Sequence, residues 1–305
     1  MGLTYQAFDK RFFDIVDVDQ ELETVRSGFT FIEGPIWNSK TGCLTFNDIP
    51  ESRTYRLHPD GSVTLLRENT HKANGNAYDR EGNIIVCEHV RSCISRTDDQ
   101  GNGLTVLAAH YGDKELNSPN DVVVKSDGVI YFTDPRFGRN ASRVGLGRPQ
   151  DLDSQGLFSF NPADGRLRLL ADDFENPNGL CFSKDESWLF VNDSPRKHIR
   201  RFRVEPDGSL SGGAVWAETT GEGQGLPDGM KLDGDENVYC CAQGGIHIFN
   251  RNADYLGIVR VPEQTGNCAF GGPGMDTLYL AASTTLYSFK IKGSADRRQE
   301  ERTNG

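Results

Sequence analysis

The sequence predicts an all-β protein, a six-bladed β-propeller with four-stranded antiparallel blades. Short β-forming runs alternate with Asp-Gly, Asn or Gly turns, as in HPDGSV, KSDGVI and EPDGSL, and this alternation is typical of β-hairpins. Convincing helical periodicity is scarce. One hairpin unit recurs six times, with starts about 40–60 residues apart, which is the range of four-stranded propeller blades.

The six copies define the domain organisation. They begin at Gly34, Asn76, Asn120, Asn178, Asp228 and Asn267. Further strand candidates lie between the copies, such as TYRLH with VTLLR, LFSF with LRLL and IHIF with LGIV, and they bring each unit to four strands. We therefore expect a single propeller over residues 23–292 and an N-terminal extension, residues 1–22, that packs on it. The tail at 293–305 is charged and lacks core residues, so it is expected to be disordered.

Composition narrows the classes of partner and compartment. The 305 residues carry a formal net charge of −11, which argues against nucleic acid and anionic membranes as partners. No stretch approaches 18 consecutive apolar residues, so no transmembrane helix is expected. The seven cysteines are odd in number, form no CxxC pair and fall mostly within apolar runs. This pattern predicts buried, reduced thiols in a cytoplasmic protein.

Polar residues occupy the start of the predicted innermost strand in every copy. In a propeller these strands run side by side around the central axis, so their first residues converge at one mouth of the channel. Six polar groups in one crowded ring are costly unless they are satisfied, and a bound cation with water would satisfy them. The residues are Glu33, Asn76, Asn120, Asn178, Asp228 and Asn267.

The second strand of each hairpin returns to the same mouth and also ends in polar residues. These residues are Asn47, Asp48, Glu88, His89, Asp134, Asp193 and Gln243. Two interpretations remain open: the aspartates and His89 line the rim of a site, or they are ordinary hydrogen-bonded strand ends. For Asn76 and Asn267 the alternative is that they only hydrogen-bond backbone within the channel.

The residue types indicate a hard cation and hydrolytic chemistry. Glu33, Asn178 and Asp228 offer three oxygen ligands, and Asn120 can add a fourth. Such a set suits Ca²⁺, Mg²⁺ or Mn²⁺, whereas Zn²⁺ is less expected. A cation with open positions polarises a carbonyl and lowers the pKa of water, and a neighbouring carboxylate can accept the proton. No GxSxG, GxGxxG or phosphate-binding loop motif occurs, so nucleotide cofactors have no support.

Five motifs resemble the gluconolactonase/regucalcin/luciferin-regenerating-enzyme (senescence marker protein) family. They are EGPIW at 33–37, LNSPNDVVV at 116–124, YFTDPRFG at 131–138, NPNGLCFS at 176–183 and GLPDGM at 225–230. NIIVCEH at 83–89 is similar to the bacterial gluconolactonase branch. The resemblance implies one divalent cation in the central channel, with Ca²⁺ favoured. It also implies Glu33, Asn178 and Asp228 as ligands.

The same resemblance implies a lactonase with a small-molecule lactone as substrate. Asn120 then contacts both metal and substrate, and Asp228 is the candidate catalytic base. His89, Asp134 and Asn76 are further candidates for substrate binding. Two departures fall on loops expected to shape the pocket: Ser118 stands where the regucalcin branch has arginine, and VRSC at 90–93 replaces a Gly-Asn-Arg-Arg run of many bacterial relatives.

Two alternatives to the lactonase stay open. One is a metal-dependent hydrolase of another bond, such as a phosphotriester or a cyclic diketone. The other is a non-enzymatic Ca²⁺-binding propeller. Either a monomer or a dimer is compatible with the sequence.

Overall fold

A computed structural model describes residues 2–293, so the predicted disordered tail lies outside the described residues except for Gly293. The chain begins with three short elements that precede the first blade. They are strand β1 (Thr4–Ala7), helix α1 (Phe12–Ile15) and strand β2 (Glu23–Ser27). None of the helices within residues 2–293 has the length and apolar character needed to cross a bilayer.

The first three blades follow in chain order, each a four-stranded antiparallel sheet. Blade one contains β3 (Ile32–Asn38), β4 (Cys43–Asp48), β5 (Arg53–Leu57) and β6 (Val63–Glu68). Blade two contains β7 (Ala73–Tyr78), β8 (Ile84–Glu88), β9 (Cys93–Thr97) and β10 (Thr105–Ala108), and a small hairpin of β11 (His110–Tyr111) and β12 (Lys114–Glu115) follows it. Blade three contains β13 (Val122–Val124), β14 (Ile130–Asp134), β15 (Gln155–Asn161) and β16 (Arg166–Phe174), with a 3₁₀ turn at Phe137–Arg139.

The last three blades complete the ring. Blade four contains β17 (Pro177–Phe182), β18 (Trp188–Asp193), β19 (His198–Val204) and β20 (Leu210–Glu218). Blade five contains β21 (Met230–Leu232), β22 (Val238–Ala242), β23 (Gly245–Phe249) and β24 (Tyr255–Arg260). Blade six contains β25 (Thr265–Gly271), β26 (Thr277–Ala282) and β27 (Thr285–Lys290).

Strands from the two ends of the chain close the propeller. Strand β2 pairs antiparallel with β27, so the N-terminal segment supplies the outermost strand of blade six. Strand β1 pairs with β24 and adds a fifth strand to the edge of blade five. The prediction of a six-bladed propeller with four-stranded antiparallel blades is confirmed.

Aromatic contacts join the faces of neighbouring blades. Tyr131 of blade three meets Phe182 of blade four edge-on at 5.1 Å between ring centroids. Tyr239 of blade five meets Phe270 of blade six in the same way at 5.2 Å. Edge-to-face pairs of this kind favour one relative orientation of the rings, so they help to fix the angle between blades. All seven cysteines are free and buried, as their placement in apolar runs predicts.

The innermost strands approach so closely that only glycine fits between them. A Cβ atom at Gly34 would lie 2.0 Å from the carbonyl oxygen of Asn74 in the next blade. One at Gly179 would lie 2.1 Å from the carbonyl oxygen of Asp228. The glycine that follows a polar residue in EGPIW and NPNGL therefore brings the polar residues of adjacent blades to one ring.

Candidate active site

Residues from all six blades line a cavity of about 410 Å³ at one mouth of the central channel. Its wall includes Glu33 of blade one, Asn120 of blade three, Asn178 of blade four and Asp228 of blade five. The structure thus brings together all four residues that the sequence suggests as metal ligands, although almost 200 positions separate the first from the last. Whether they hold a metal stays a prediction.

Backbone hydrogen bonds fix three of these residues at the strand starts. The Glu33 carboxylate accepts the N–H of Gly34 at 2.8 Å. Asn120 donates its N–H to the carbonyl of Thr133 at 2.8 Å, and Asp228 donates its own to Cys241 at 2.8 Å. Because each bond ties the residue to a blade strand, the side chains are held by the sheet scaffold and not by a mobile loop.

The Asn178 carboxamide has one end satisfied and the other free. Its Nδ2 donates to the hydroxyl of Ser194 at 3.1 Å, and that hydroxyl donates to the carbonyl of Pro227 at 2.6 Å. These bonds fix which end of the amide is the oxygen. Within residues 2–293, the buried Oδ1 atom has no hydrogen-bond partner. An orphaned buried acceptor on a cavity wall is the arrangement expected where a cation or water binds.

Two buried carboxylates repel each other in this cavity. Burial raises the pKa of Glu33, and the nearby charge of Asp121 adds to that rise. Burial likewise raises the pKa of Asp228 well above its usual value, with further rises from the charges of Glu33 and Asp121. Both carboxylates therefore lack the positive charge that would normally accompany them at this depth.

A lysine beneath the cavity compensates for only part of this negative charge. Lys231 donates to the carboxamide oxygen of Asn267 at 3.3 Å, and Asn267 donates in turn to Asp121 at 3.4 Å. Burial alone would lower the pKa of Lys231, but the charge of Asp121 raises it. Glu33, Asp121, Asp228 and Lys231 together carry two uncompensated negative charges when ionised, which is the charge that one divalent cation would neutralise.

The donor set fits a hard cation and not a thiolate or imidazole site. In the described part of the chain, no three His, Cys, Asp or Glu side chains form a cluster that could hold a metal ion. The predicted set contains only two carboxylates, and its remaining donors are amide oxygens. Carboxylate and amide oxygens are ligands that Ca²⁺ accepts, and Ca²⁺ commonly completes its coordination with water.

His89 lies on the same wall as a neutral, hydrogen-bonded side chain. Its Nδ1 lies 2.8 Å from the carbonyl of Val144, and its Nε2 lies 3.0 Å from the amide nitrogen of Asn74. A carbonyl only accepts, so Nδ1 carries the proton and Nε2 accepts from Asn74. Burial lowers the pKa of His89 to about 4. His89 thus orients Asn74, another cavity residue.

Asp134 lies outside this cavity and has a structural role. Its two carboxylate oxygens accept the N–H groups of Asn117 and Ser118, each at 2.8 Å. Asp48 and Asp193 accept pairs of backbone N–H groups in the corresponding loops of their own blades. These aspartates therefore hold the loops that lead into the innermost strands of blades one, three and four, and a role of Asp134 in substrate binding stays a prediction.

Asn76 lies deeper in the channel than its predicted position at the mouth. Its side chain donates to the carbonyl of Gly34 at 2.6 Å and lines a separate cavity of about 120 Å³. On the innermost strand of blade two the residue that lines the channel-mouth cavity is Asn74, which the alignment of the blades missed. The signal was the glycine that follows it, because Asn74-Gly75 matches Asn178-Gly179 more closely than Asn76-Ala77 does.

The two departures noted in the sequence shape the loop over the cavity. Ser118 is fully buried, and its hydroxyl accepts the N–H of Gly138 at 2.9 Å. In the VRSC segment, the Val90 carbonyl and the Ser92 hydroxyl each accept a bond of 2.6 Å from Arg148. Both departures therefore contact the segment between β14 and β15, Ser118 through Gly138 and VRSC through Arg148.

Fold and cavity together define a six-bladed propeller with an acidic site at one channel mouth. Residues 31–284 match the family described as the SMP-30/Gluconolactonase/LRE-like region, and the chain belongs to this family. It is 30% identical to a gluconolactonase of Zymomonas mobilis over 93% of this chain and 85% of the relative. It is 28% identical to a 6-deoxy-6-sulfogluconolactonase of Pseudomonas putida over 85% of each. The solved structure of a gluconolactonase from Xanthomonas campestris superposes with a TM-score of 0.87 at 30% identity and 94% coverage of both chains.

Proposed function

We propose that the protein is a metal-dependent lactonase that opens a sugar lactone or a related small lactone in the cavity at the channel mouth. The observation that carries the proposal is the convergence of Glu33, Asn120, Asn178 and Asp228 from four blades onto one cavity wall. The relatives named above, which are lactonases, support the same reaction class. The reducing environment suited to seven free cysteines supports a cytoplasmic location.

Glu33, Asn178 and Asp228 would hold the proposed cation, and Asn120 would be a further ligand, directly or through water. Ca²⁺ suits this oxygen set best, and Mg²⁺, Mn²⁺ and Zn²⁺ are the alternatives. When bound, a divalent cation polarises the lactone carbonyl and makes water more acidic. The orphaned Oδ1 of Asn178 and the two uncompensated negative charges support this placement.

The protein's own groups orient the substrate and move the proton. Asp228 accepts the proton of the attacking water and returns it to the departing ring oxygen, so that a hydroxy acid is released. The Asn120 carboxamide can donate a hydrogen bond to an oxygen of the lactone. Phe31, Ile49 and Leu226 form an apolar part of the wall, which limits the access of bulk water to the reacting atoms.

A lactone panel tests the proposal. Protein stripped by chelation is assayed with five- and six-membered lactones, and again after reloading with Ca²⁺, Mg²⁺, Mn²⁺ or Zn²⁺. We expect negligible turnover after stripping and recovery with at least one metal. A binding protein would give no turnover with any metal. A hydrolase of another bond would be active only on a phosphotriester or a cyclic diketone, and either outcome would contradict the lactonase assignment.

A further inference from the structure

We propose that Arg143 binds an anionic group of the substrate, so that the preferred lactone carries a carboxylate, phosphate or sulfonate away from the reacting carbonyl. The inference rests on the proposed lactonase function and adds the class of substrate. Its basis is an arginine that lies on the lining of the cavity with an unpaired guanidinium.

The segment that carries Arg143 is fixed beside the cavity by two consecutive carbonyl groups. Lys72 donates its ammonium to the Arg143 carbonyl at 2.8 Å. The imidazole of His89 donates to the Val144 carbonyl at 2.8 Å. Since both donors belong to blade two or its loops and the segment belongs to blade three, these bonds tie the segment to the neighbouring blade.

Both flanks of the segment are also anchored, through one glutamate. Arg139 forms an ion pair with Glu115 at 2.8 Å and is only 5% exposed. Arg148 forms a second ion pair with the same carboxylate at 3.0 Å. A loop held at both ends and in the middle can present one side chain in a defined position, which recognition of a substituent requires.

The Arg143 guanidinium rests on an aromatic ring and leaves its donors free. Its Cζ atom lies 3.9 Å from the centroid of the Phe31 ring, and Phe31 itself lines the cavity. No hydrogen bond or ion pair joins the guanidinium to any residue between positions 2 and 293, whereas Arg139 and Arg148 are both paired. Stacking supports a guanidinium through its face, so its N–H groups stay available for bidentate contact with a planar anion.

The charge balance of the cavity favours an anion at this position. A divalent cation would neutralise the two excess negative charges around Glu33 and Asp228. Arg143 would then be the one net charge on the described lining, because His89 is neutral. A neutral hydroxymethyl substituent leaves the exposed Arg143 guanidinium to solvent, whereas a carboxylate provides it with a charged partner.

Two lactones that differ in one group provide the test. D-glucono-1,4-lactone and D-glucaro-1,4-lactone share a ring, but the second has a carboxylate in place of the terminal hydroxymethyl group. We expect the metal-loaded protein to have the higher kcat/KM with the carboxylate form. Arg143→Gln should lower that preference about 10- to 100-fold, the range for a lost charge-assisted hydrogen bond. Arg143→Lys should retain part of this preference, because lysine keeps the positive charge but lacks the planar pair of N–H donors.

Arg201→Gln is the matched control, since Arg201 also stacks on an aromatic ring, Trp188 at 4.4 Å, but lies outside the cavity lining. An unchanged preference in Arg143→Gln, or the same loss in Arg201→Gln, would overturn the inference. So would turnover of the neutral lactone alone.

Calorimetric binding of glucarate and gluconate separates this inference from the lactonase proposal. If no lactone is hydrolysed, tighter binding of glucarate that Arg143→Gln abolishes would still support the anion site. Equal binding of the two acids would reject it.

Discussion

Substitution of Gly266 by alanine displaces Glu33 without changing any group of the site. A Cβ atom at position 266 would lie 2.2 Å from Oε1 of Glu33 and 3.0 Å from its carboxyl carbon. Ordinary contact begins at 3.4 Å, so the oxygen must move by about 1.2 Å. Position 266 has no positive φ, so alanine fits the backbone there.

The magnitude follows from the tolerance of a metal site. Ca²⁺–oxygen distances span only about 2.3–2.6 Å, so a shift of this size would remove Glu33 from the proposed coordination shell. We expect weaker metal binding and a loss of about 10²-fold in kcat/KM, the cost of misplacing a catalytic geometry by roughly 1 Å. The fold should survive, because the clash is with the end of a side chain and not with backbone. Calorimetric Ca²⁺ titration and lactone kinetics measure the two effects.

Gly274→Ala provides the control in the same blade. Its nearest neighbour would be the carboxyl group of Asp276 at 3.3 Å, which is far from the cavity lining. We expect wild-type metal affinity and kinetics from this variant. Metal affinity and kcat/KM within twofold of wild type in a folded Gly266→Ala protein would refute the assignment of Glu33 to the site.

Three further predictions concern the base, the channel and pH. Asp228→Asn should weaken metal binding and lower turnover at saturating metal by about 10²–10⁴-fold, because it loses both a charged ligand and the base. Excess metal should largely restore turnover in Asn178→Ala, which loses only a neutral ligand. Restoration of turnover in both variants would show that Asp228 is a ligand only. Lys231→Met removes the positive charge that is linked to the buried Asp121 through Asn267 and should cost roughly 3–5 kcal/mol of unfolding free energy in urea titrations, and a loss below 1 kcal/mol would contradict this electrostatic coupling. Burial lowers the pKa of His247 to about 4, so this residue is neutral when folded but protonates in the unfolded chain below its ordinary value of 6.5. Stability should therefore fall by about 3 kcal/mol from this group as the pH drops from 7 to below 4, and His247→Gln should flatten that slope in urea titrations; an unchanged slope would count against a neutral His247.

The fold could be predicted from the sequence because each blade repeats a local signal. Turns rich in Asp, Asn and Gly mark the hairpins, and in blades one, two, four and five a polar residue before glycine marks the place where innermost strands meet. The same signal located Glu33, Asn178 and Asp228. It failed in blade two, where Asn74 and Asn76 are two residues apart and only the position of Gly75 distinguishes them.

Other site features depend on contacts that no local pattern encodes. The neutral state of His89 depends on its burial, and its tautomer depends on its bond to the Val144 carbonyl, which is 55 positions away in sequence. The position of Arg143 over Phe31 depends on a loop anchored by another blade. Asp134 has the spacing of a rim residue, yet its oxygens are occupied by two backbone N–H groups. The sequence predicts which strands are adjacent. The role of each polar residue depends on contacts between loops of different blades and on its hydrogen-bond partners.

Anomalous diffraction from crystals grown with Mn²⁺ or Ca²⁺ tests the central claim most directly. We expect one strong peak in the channel-mouth cavity, within about 2.0–2.6 Å of side-chain oxygens of Glu33, Asn178 and Asp228. The peak should disappear in Asp228→Asn crystals grown at limiting metal. A fully loaded protein whose peak lies elsewhere, or a cavity that stays without a peak at saturating metal, would contradict the account.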